Sequence, residues 1–128
     1  MTLITMRVLV IEDDAFLRKA YEVSLRDHGF EVKVASDGES GLRMAERVQP
    51  DVILLDVLLP VLTGVEVLRR IKSSPVIADI PVVIFSVSSD ADEIASILDL
   101  GASAYFSKSD IDLNSLAQRI RAIISGPA

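Results

Sequence analysis

The sequence predicts an α/β fold, a doubly wound parallel sheet with helices on both of its faces. Four short apolar runs, Val8–Ile11, Val52–Leu55, Val82–Phe85 and Ala104–Phe106, are continuous, as strands buried on both faces are. Stretches of helical period separate them, so β and α alternate five times with no repeat and no internal linker. Strict alternation implies parallel strands joined by right-handed crossovers.

After the first strand, residues 14–28 carry Leu17, Ala20, Tyr21 and Leu25 on one face, and Gly29 closes the helix. His28 falls in the last turn, where a cation complements the helix dipole, so it reads as a helix-end residue. Glu31–Ala35 alternates in character and suits an edge strand. Ser36-Asp37-Gly38-Glu39 is a turn that caps a helix bearing Leu42, Ala45 and Val48. Pro50 ends that segment ahead of a strand over Asp51–Leu55. Pro60 and Gly64 frame a loop before a helix presenting Val65, Leu68 and Ile71. Pro75 and Pro81 bracket the connection into a strand over Ile80–Phe85. A helix opening near Asp90 carries Ile94, Ile97 and Leu98 and closes at Gly101. After the strand Ala104–Ser107, a last helix sets Leu113, Leu116, Ala117, Ile120, Ile123 and Ile124 on one stripe. Ser125-Gly126-Pro127-Ala128 is a small, turn-prone tail, either a natural end or the start of a linker.

A chain of 128 residues suits one domain burying roughly two-thirds of its unfolded surface. The mean hydropathy of +0.42 is high for a soluble protein, yet the apolar residues come in short blocks. The richest stretch, Val52–Leu68, is broken by Asp56, Pro60, Thr63, Gly64 and Glu66. A membrane span needs about 20 nearly unbroken apolar residues, so none is expected. Met1–Arg7 shows no basic region followed by an apolar core, which predicts no export signal and a cytoplasmic location. A net charge of −6 argues against non-specific nucleic-acid binding. The absence of cysteine excludes disulfides, thiolate catalysis and zinc–thiolate sites.

The chemistry lies where the runs stop. The first ends on Glu12-Asp13-Asp14, the second on Asp56, the third on the hydroxyl of Ser86, and the last, after Ser107, on Lys108. Ligands of open parallel sheets bind at the carboxyl ends of the strands. Four acids, a hydroxyl and an ammonium gathered there suit an oxyanion-plus-metal site. Mg²⁺ takes oxygen ligands from one or two carboxylates and keeps several waters. Glu12, Asp13 and Asp56 could supply these if their strands are neighbours. Asp14 reads instead as the residue that starts the following helix. Lys108 is a point charge suited to a phosphate or a carboxylate. No glycine-rich phosphate loop and no Gly-x-Ser-x-Gly elbow is present.

In this order and spacing the residues resemble the receiver domain of two-component response regulators. The match rests on Val10-Ile11-Glu12-Asp13, on Asp51–Asp56 followed by Pro60 and Gly64, on Ser86, and on Gly101–Lys108, and covers Arg7 to about Ile124. The resemblance implies a five-stranded CheY-like sheet of order 2-1-3-4-5 with five flanking helices, one receiver domain over 1–128 with its core at about 7–124, and no output domain within these residues. It implies a phosphoacceptor at Asp56, with Mg²⁺ held by Glu12, Asp13, Asp56 and the backbone carbonyl of Leu58. Lys108 would pair with the phosphoryl oxygens, the Ser86 hydroxyl would move toward them, and Tyr105 would rotate inward. The phosphoryl donor would be a sensor histidine kinase or a histidine phosphotransfer protein. A downstream partner would bind near Ile94, Tyr105 and the last helix, a face that also suits a homodimer, and no enzymatic turnover beyond slow self-dephosphorylation would follow.

Three positions depart from the family pattern. Ser109 replaces the proline that commonly follows the lysine, which predicts a trans bond at Lys108–Ser109. Val87 stands where alanine or glycine is usual, and its bulk is expected to narrow access to the phosphoryl group. Leu58 lies in an unusually apolar loop and is expected to screen that group from water. Two other functions compete. The same fold serves as a phosphorylation-independent interaction module in pseudo-receivers. Mg²⁺-dependent phosphatases with an aspartyl nucleophile carry Asp-x-Asp-x-Thr after the first strand, which Glu12-Asp13-Asp14 does not provide, and the chain has no cap domain.

Overall fold

The computed structural model describes residues 5–126. Met1–Ile4 and Pro127–Ala128, on which the leader and tail readings partly rest, lie outside the described residues. The elements run β1 (Arg7–Ile11), α1 (Ala15–Asp27), β2 (Glu31–Ala35), α2 (Gly38–Val48), β3 (Val52–Leu55), α3 (Gly64–Ser73), β4 (Val82–Ser86), α4 (Ala91–Asp99), β5 (Ala104–Ser107) and α5 (Leu113–Ser125). All strand pairs are parallel, in the order β2-β1-β3-β4-β5. The expected doubly wound sheet is therefore the observed one.

Successive strand residues point to opposite faces, and both faces are covered. Val8, Val10, Val52, Leu54, Val83 and Phe85 pack with Tyr21, Leu25, Leu116, Ala117 and Ile120 of α1 and α5. Leu9, Ile11, Ile53, Leu55 and Ile84 pack with Ala45, Val67, Leu68, Ile71 and Ile97 of α2, α3 and α4. This two-sided burial is why β1, β3 and β4 read as unbroken apolar runs, while the edge strand β2 alternates.

Each helix opens on an oxygen-bearing side chain that accepts from an otherwise unpaired N–H of its first turn. The caps are Asp14, Asp37, Thr63, Asp90 and Asp112. Asp14 is thus a helix start, bonded to the Leu17 N–H at 3.0 Å. His28 ends α1, its Nδ1 lying 2.8 Å from the Ser24 carbonyl oxygen, and Gly29 at φ +90° turns the chain away.

Strands β3 and β4 shift from their expected bounds. Strand β3 starts at Val52, because Asp51 turns its carboxylate back to the Arg7 N–H at 2.7 Å. Strand β4 starts at Val82, since the Ile80 N–H closes a turn on the Ile77 carbonyl and Pro81 has no N–H for the ladder. Ser86 belongs to β4 and pairs with Ser107, so its hydroxyl is fixed by the sheet. Among the described residues no helix is long and apolar enough to cross a membrane.

Candidate functional site

Strands β1 and β3 are neighbours, with Ile11 paired to Leu55, so the next residues, Glu12 and Asp56, emerge side by side. Both are buried, at 2% and 7% exposure. Gly64 makes the loop after Asp56 possible: a Cβ there would collide with the Asp56 carbonyl oxygen and the Val57 backbone. Its N–H closes the loop on the Val57 carbonyl at 2.9 Å.

Lys108 arrives from β5, held by a backbone bond from its N–H to the Ser86 carbonyl at 2.8 Å. Its ammonium donates to Asp56 Oδ2 at 2.9 Å and to Glu12 Oε1 at 3.1 Å. Asp56 Oδ1 accepts from the Leu58 N–H and from the Ser86 hydroxyl, each at 3.0 Å. Glu12 Oε2 accepts from the Asp14 N–H at 3.3 Å. Every oxygen of the two carboxylates has a donor, yet one ammonium faces two negative charges.

Titration reflects that imbalance. Burial, and then the Asp56 charge, push the Glu12 carboxyl up to about 7 against the opposing pull of Lys108. For Lys108, burial alone would lower the pKa, but the bonds and charges of Asp56 and Glu12 prevail and hold it above its ordinary value.

The other expected site residues take varied positions. Asp13 is exposed at the rim, and among the described residues no three acidic or histidine side chains stand close enough to hold a metal ion alone. Leu58 contributes its N–H to Asp56, while its side chain is 60% exposed. Val87 is exposed as well. Ser86, expected to move toward a phosphoryl group, faces the Asp56 carboxylate in this structure. Tyr105 is half-buried and donates to the Ser88 carbonyl at 2.7 Å. The Ser88 hydroxyl in turn donates to Glu93 on α4 at 2.8 Å. Ile94 is half-buried on α4, outside this bonded cluster. No described peptide bond is cis, and the Ser109 and Ser107 hydroxyls lie 3.0 Å apart across the turn leaving β5.

Residues that sequence reasoning passed over also shape the site. The Arg18 guanidinium donates to the carbonyls of Glu12 at 3.0 Å and Asp13 at 3.3 Å, pinning the turn between β1 and α1. Its only sequence signal was a cation in the first turns of α1, where dipole arguments favour acids. Tyr21 and Phe85 lie behind Lys108, and both had been counted only as core residues. Val61, fully exposed, adopts φ +66° in the loop after Asp56, a left-handed conformation unusual for a β-branched residue.

The model of the response regulator receiver domain matches residues 8–121. The chain belongs to that family. The receiver is 36% identical over 119 residues to response regulator MprA of Mycobacterium leprae, covering 93% of this chain and 51% of that protein. It is 38% identical over 117 residues to transcriptional regulatory protein CseB of Streptomyces coelicolor, covering 91% and 48%. The chain thus spans about half the length of the curated relatives it matches. Among solved structures, the receiver domain of sensor histidine kinase PA1611 from Pseudomonas aeruginosa, described with a magnesium ion in its active-site cleft, superposes with a TM-score of 0.86. It is 26% identical, and the match covers 96% of this chain and all of that one (100%). A putative response regulator from Chloroflexus aurantiacus gives a TM-score of 0.88 at 26% identity, covering 96% and 100%. The receiver is therefore part of a two-component signalling system.

Proposed function

We propose that the chain is a phosphoaccepting receiver whose acceptor is Asp56. The observation that carries this reading is a buried carboxylate held from three sides by Lys108, Ser86 and the Leu58 N–H, beside a second buried carboxylate, Glu12. An Asp56 oxygen attacks the phosphorus of a phosphohistidine. The P–N bond breaks with its electron pair left on the imidazole nitrogen, and an acyl phosphate forms. Such a transfer depends on positioning and charge neutralisation more than on covalent help from the protein. Lys108 follows the charge from the carboxylates to the phosphoryl oxygens. The Ser86 hydroxyl and Leu58 N–H are further donors already aimed at the acceptor. The product adds acceptor oxygens that new hydrogen bonds can read.

The donor set suits Mg²⁺: hard oxygen ligands at an open strand edge, with two carboxylates facing a single ammonium. Glu12 and Asp56 would hold the ion with Asp13 at the rim and the Leu58 carbonyl. When bound, it would supply the positive charge that lets a phosphoryl group approach two carboxylates. The magnesium described in the cleft of the Pseudomonas aeruginosa receiver supports this assignment.

The donor in this reading is a sensor histidine kinase or a histidine phosphotransfer protein, for which exposed Phe16, Leu58 and Val87 offer apolar contacts. The domain passes on a conformational signal and does not turn over a substrate or bind nucleic acid directly. It works in the cytoplasm as one receiver domain, through a protein partner or an output domain of a longer chain, as the names of the curated relatives suggest. The face formed by α4, β5 and α5, with Tyr105 and Ile94, is the proposed output surface and a possible homodimer contact. Incubation with Mg²⁺ and acetyl phosphate tests the reading by intact-protein mass. One phosphoryl adduct is expected, lost in Asp56→Asn. No adduct, or an adduct that survives the substitution, overturns it.

A further inference from the structure

Lys108 is gripped from behind as well as from in front. Its Nζ lies 5.7 Å from the centre of the Tyr21 ring and 5.9 Å from that of Phe85. The two rings come from α1 and β4, meet edge to face with centroids 5.5 Å apart, and are both nearly inaccessible to solvent. An ammonium within about 6 Å of an aromatic face is attracted by the ring quadrupole, most strongly where water is excluded. We propose that Tyr21 and Phe85 form an aromatic seat that positions the Lys108 ammonium against Asp56. They are positioning residues for phosphoryl transfer. The inference rests on the phosphoacceptor reading for its consequence, though not for the seat itself.

Geometry explains why two rings matter here. An ammonium has three N–H donors, and two of them go to Asp56 and Glu12. On the other side stand the two rings. A cavity of about 350 Å³, lined in part by Leu17, Ile111 and Leu113, adjoins Tyr21, Phe85 and Lys108. Tyr21, Phe85 and Lys108 share its wall. A smaller side chain at position 21 would enlarge that cavity beside the lysine and let more water compete with the carboxylates for its ammonium. Burial also raises the Tyr21 phenol above its ordinary value, against the pull of the Lys108 charge and hydrogen bond. Removing the hydroxyl while keeping the ring separates the two contributions.

Two measurements test the seat, both on the full chain. In NMR spectra the Lys108 ε-methylene protons should be shifted upfield by ring currents in the native protein and in Tyr21→Phe, and return toward ordinary lysine positions in Tyr21→Leu. An unshifted Lys108 signal in the native protein overturns the seat. With acetyl phosphate as donor, Tyr21→Leu should slow Asp56 phosphorylation by about 3- to 10-fold, and Tyr21→Phe should restore it to within about twofold of the native rate. A Tyr21→Leu rate equal to native, or a Tyr21→Phe rate as low as that of Tyr21→Leu, overturns the positioning role. If the native protein takes no phosphoryl group at all, the phosphoacceptor reading and the positioning role both fail. The ring-current shift still decides whether the seat exists.

Discussion

The two ends of the sheet carry similar charges to opposite effect. At the amino end, Arg7 of β1 pairs through Nε with Glu31 of β2 at 3.0 Å, and its backbone N–H binds the Asp51 carboxylate at 2.7 Å. At the carboxyl end, Lys108 meets Glu12 and Asp56, which leave the neighbouring strands β1 and β3. Each end thus joins one basic residue to two acids. The side chains of Arg7 and Glu31 are 36% and 39% exposed, whereas those of Lys108, Glu12 and Asp56 are 16%, 2% and 8% exposed. Water screens the first group and leaves it a weak clamp on the strand starts. The second is poorly screened, so its charge imbalance appears as a displaced titration at Glu12.

The largest expected effect comes from removing the buried cation. Lys108→Met leaves two buried carboxylates without a counter-ion, and should cost about 2–4 kcal/mol in urea unfolding near pH 8. The loss should shrink near pH 5, where Glu12 takes up a proton. A loss equal to that at the amino end would break the comparison.

Next in size is Glu12→Gln in metal-free buffer. The folded Glu12 value of about 7 lies above the ordinary 4.5, so the native state holds this proton more tightly than the unfolded chain. The associated stability is fully present below 4.5 and is lost as the pH rises through about 7. Glu12→Gln does not titrate, so it should be more stable than the native protein by about 1–3 kcal/mol near pH 8 and nearly equal to it near pH 4. Stability curves that stay parallel across this window would remove the imbalance from the account.

The smallest effect belongs to the amino end. Glu31→Gln should cost less than about 1 kcal/mol, and added salt should erase most of that. A cost of several kcal/mol that resists salt would place the two ends in one class.

Legibility differed with the range of the interactions. The caps at Asp14, Asp37 and Asp90, the helix stripes and the unbroken β1, β3 and β4 runs were readable because each reflects a few adjacent residues and a local period, whereas the caps Thr63 and Asp112 were not read. The strand order was not contained in those periods and came with the family resemblance. At the site, Glu12, Asp56, Ser86 and Lys108 were all marked by their places at strand ends. Asp13 shared that mark, yet its side chain is exposed while that of Glu12 is buried. Adjacent residues here diverge with the path of a single turn, one that Arg18 pins through two carbonyls.

The sequence by itself therefore determined the element order, three of the capped helix starts and the placing of charge and hydroxyl at the carboxyl ends of buried strands. Only the tertiary structure decided that one ammonium would span two carboxylates, and that Tyr21 and Phe85 would stand behind it. The physical reason is separation along the chain. Lys108 lies 52 residues from Asp56 and 96 from Glu12, and only the packing of β1, β3, β4, β5 and α1 brings these groups together. The same packing excludes the water that would otherwise have made their charges ordinary.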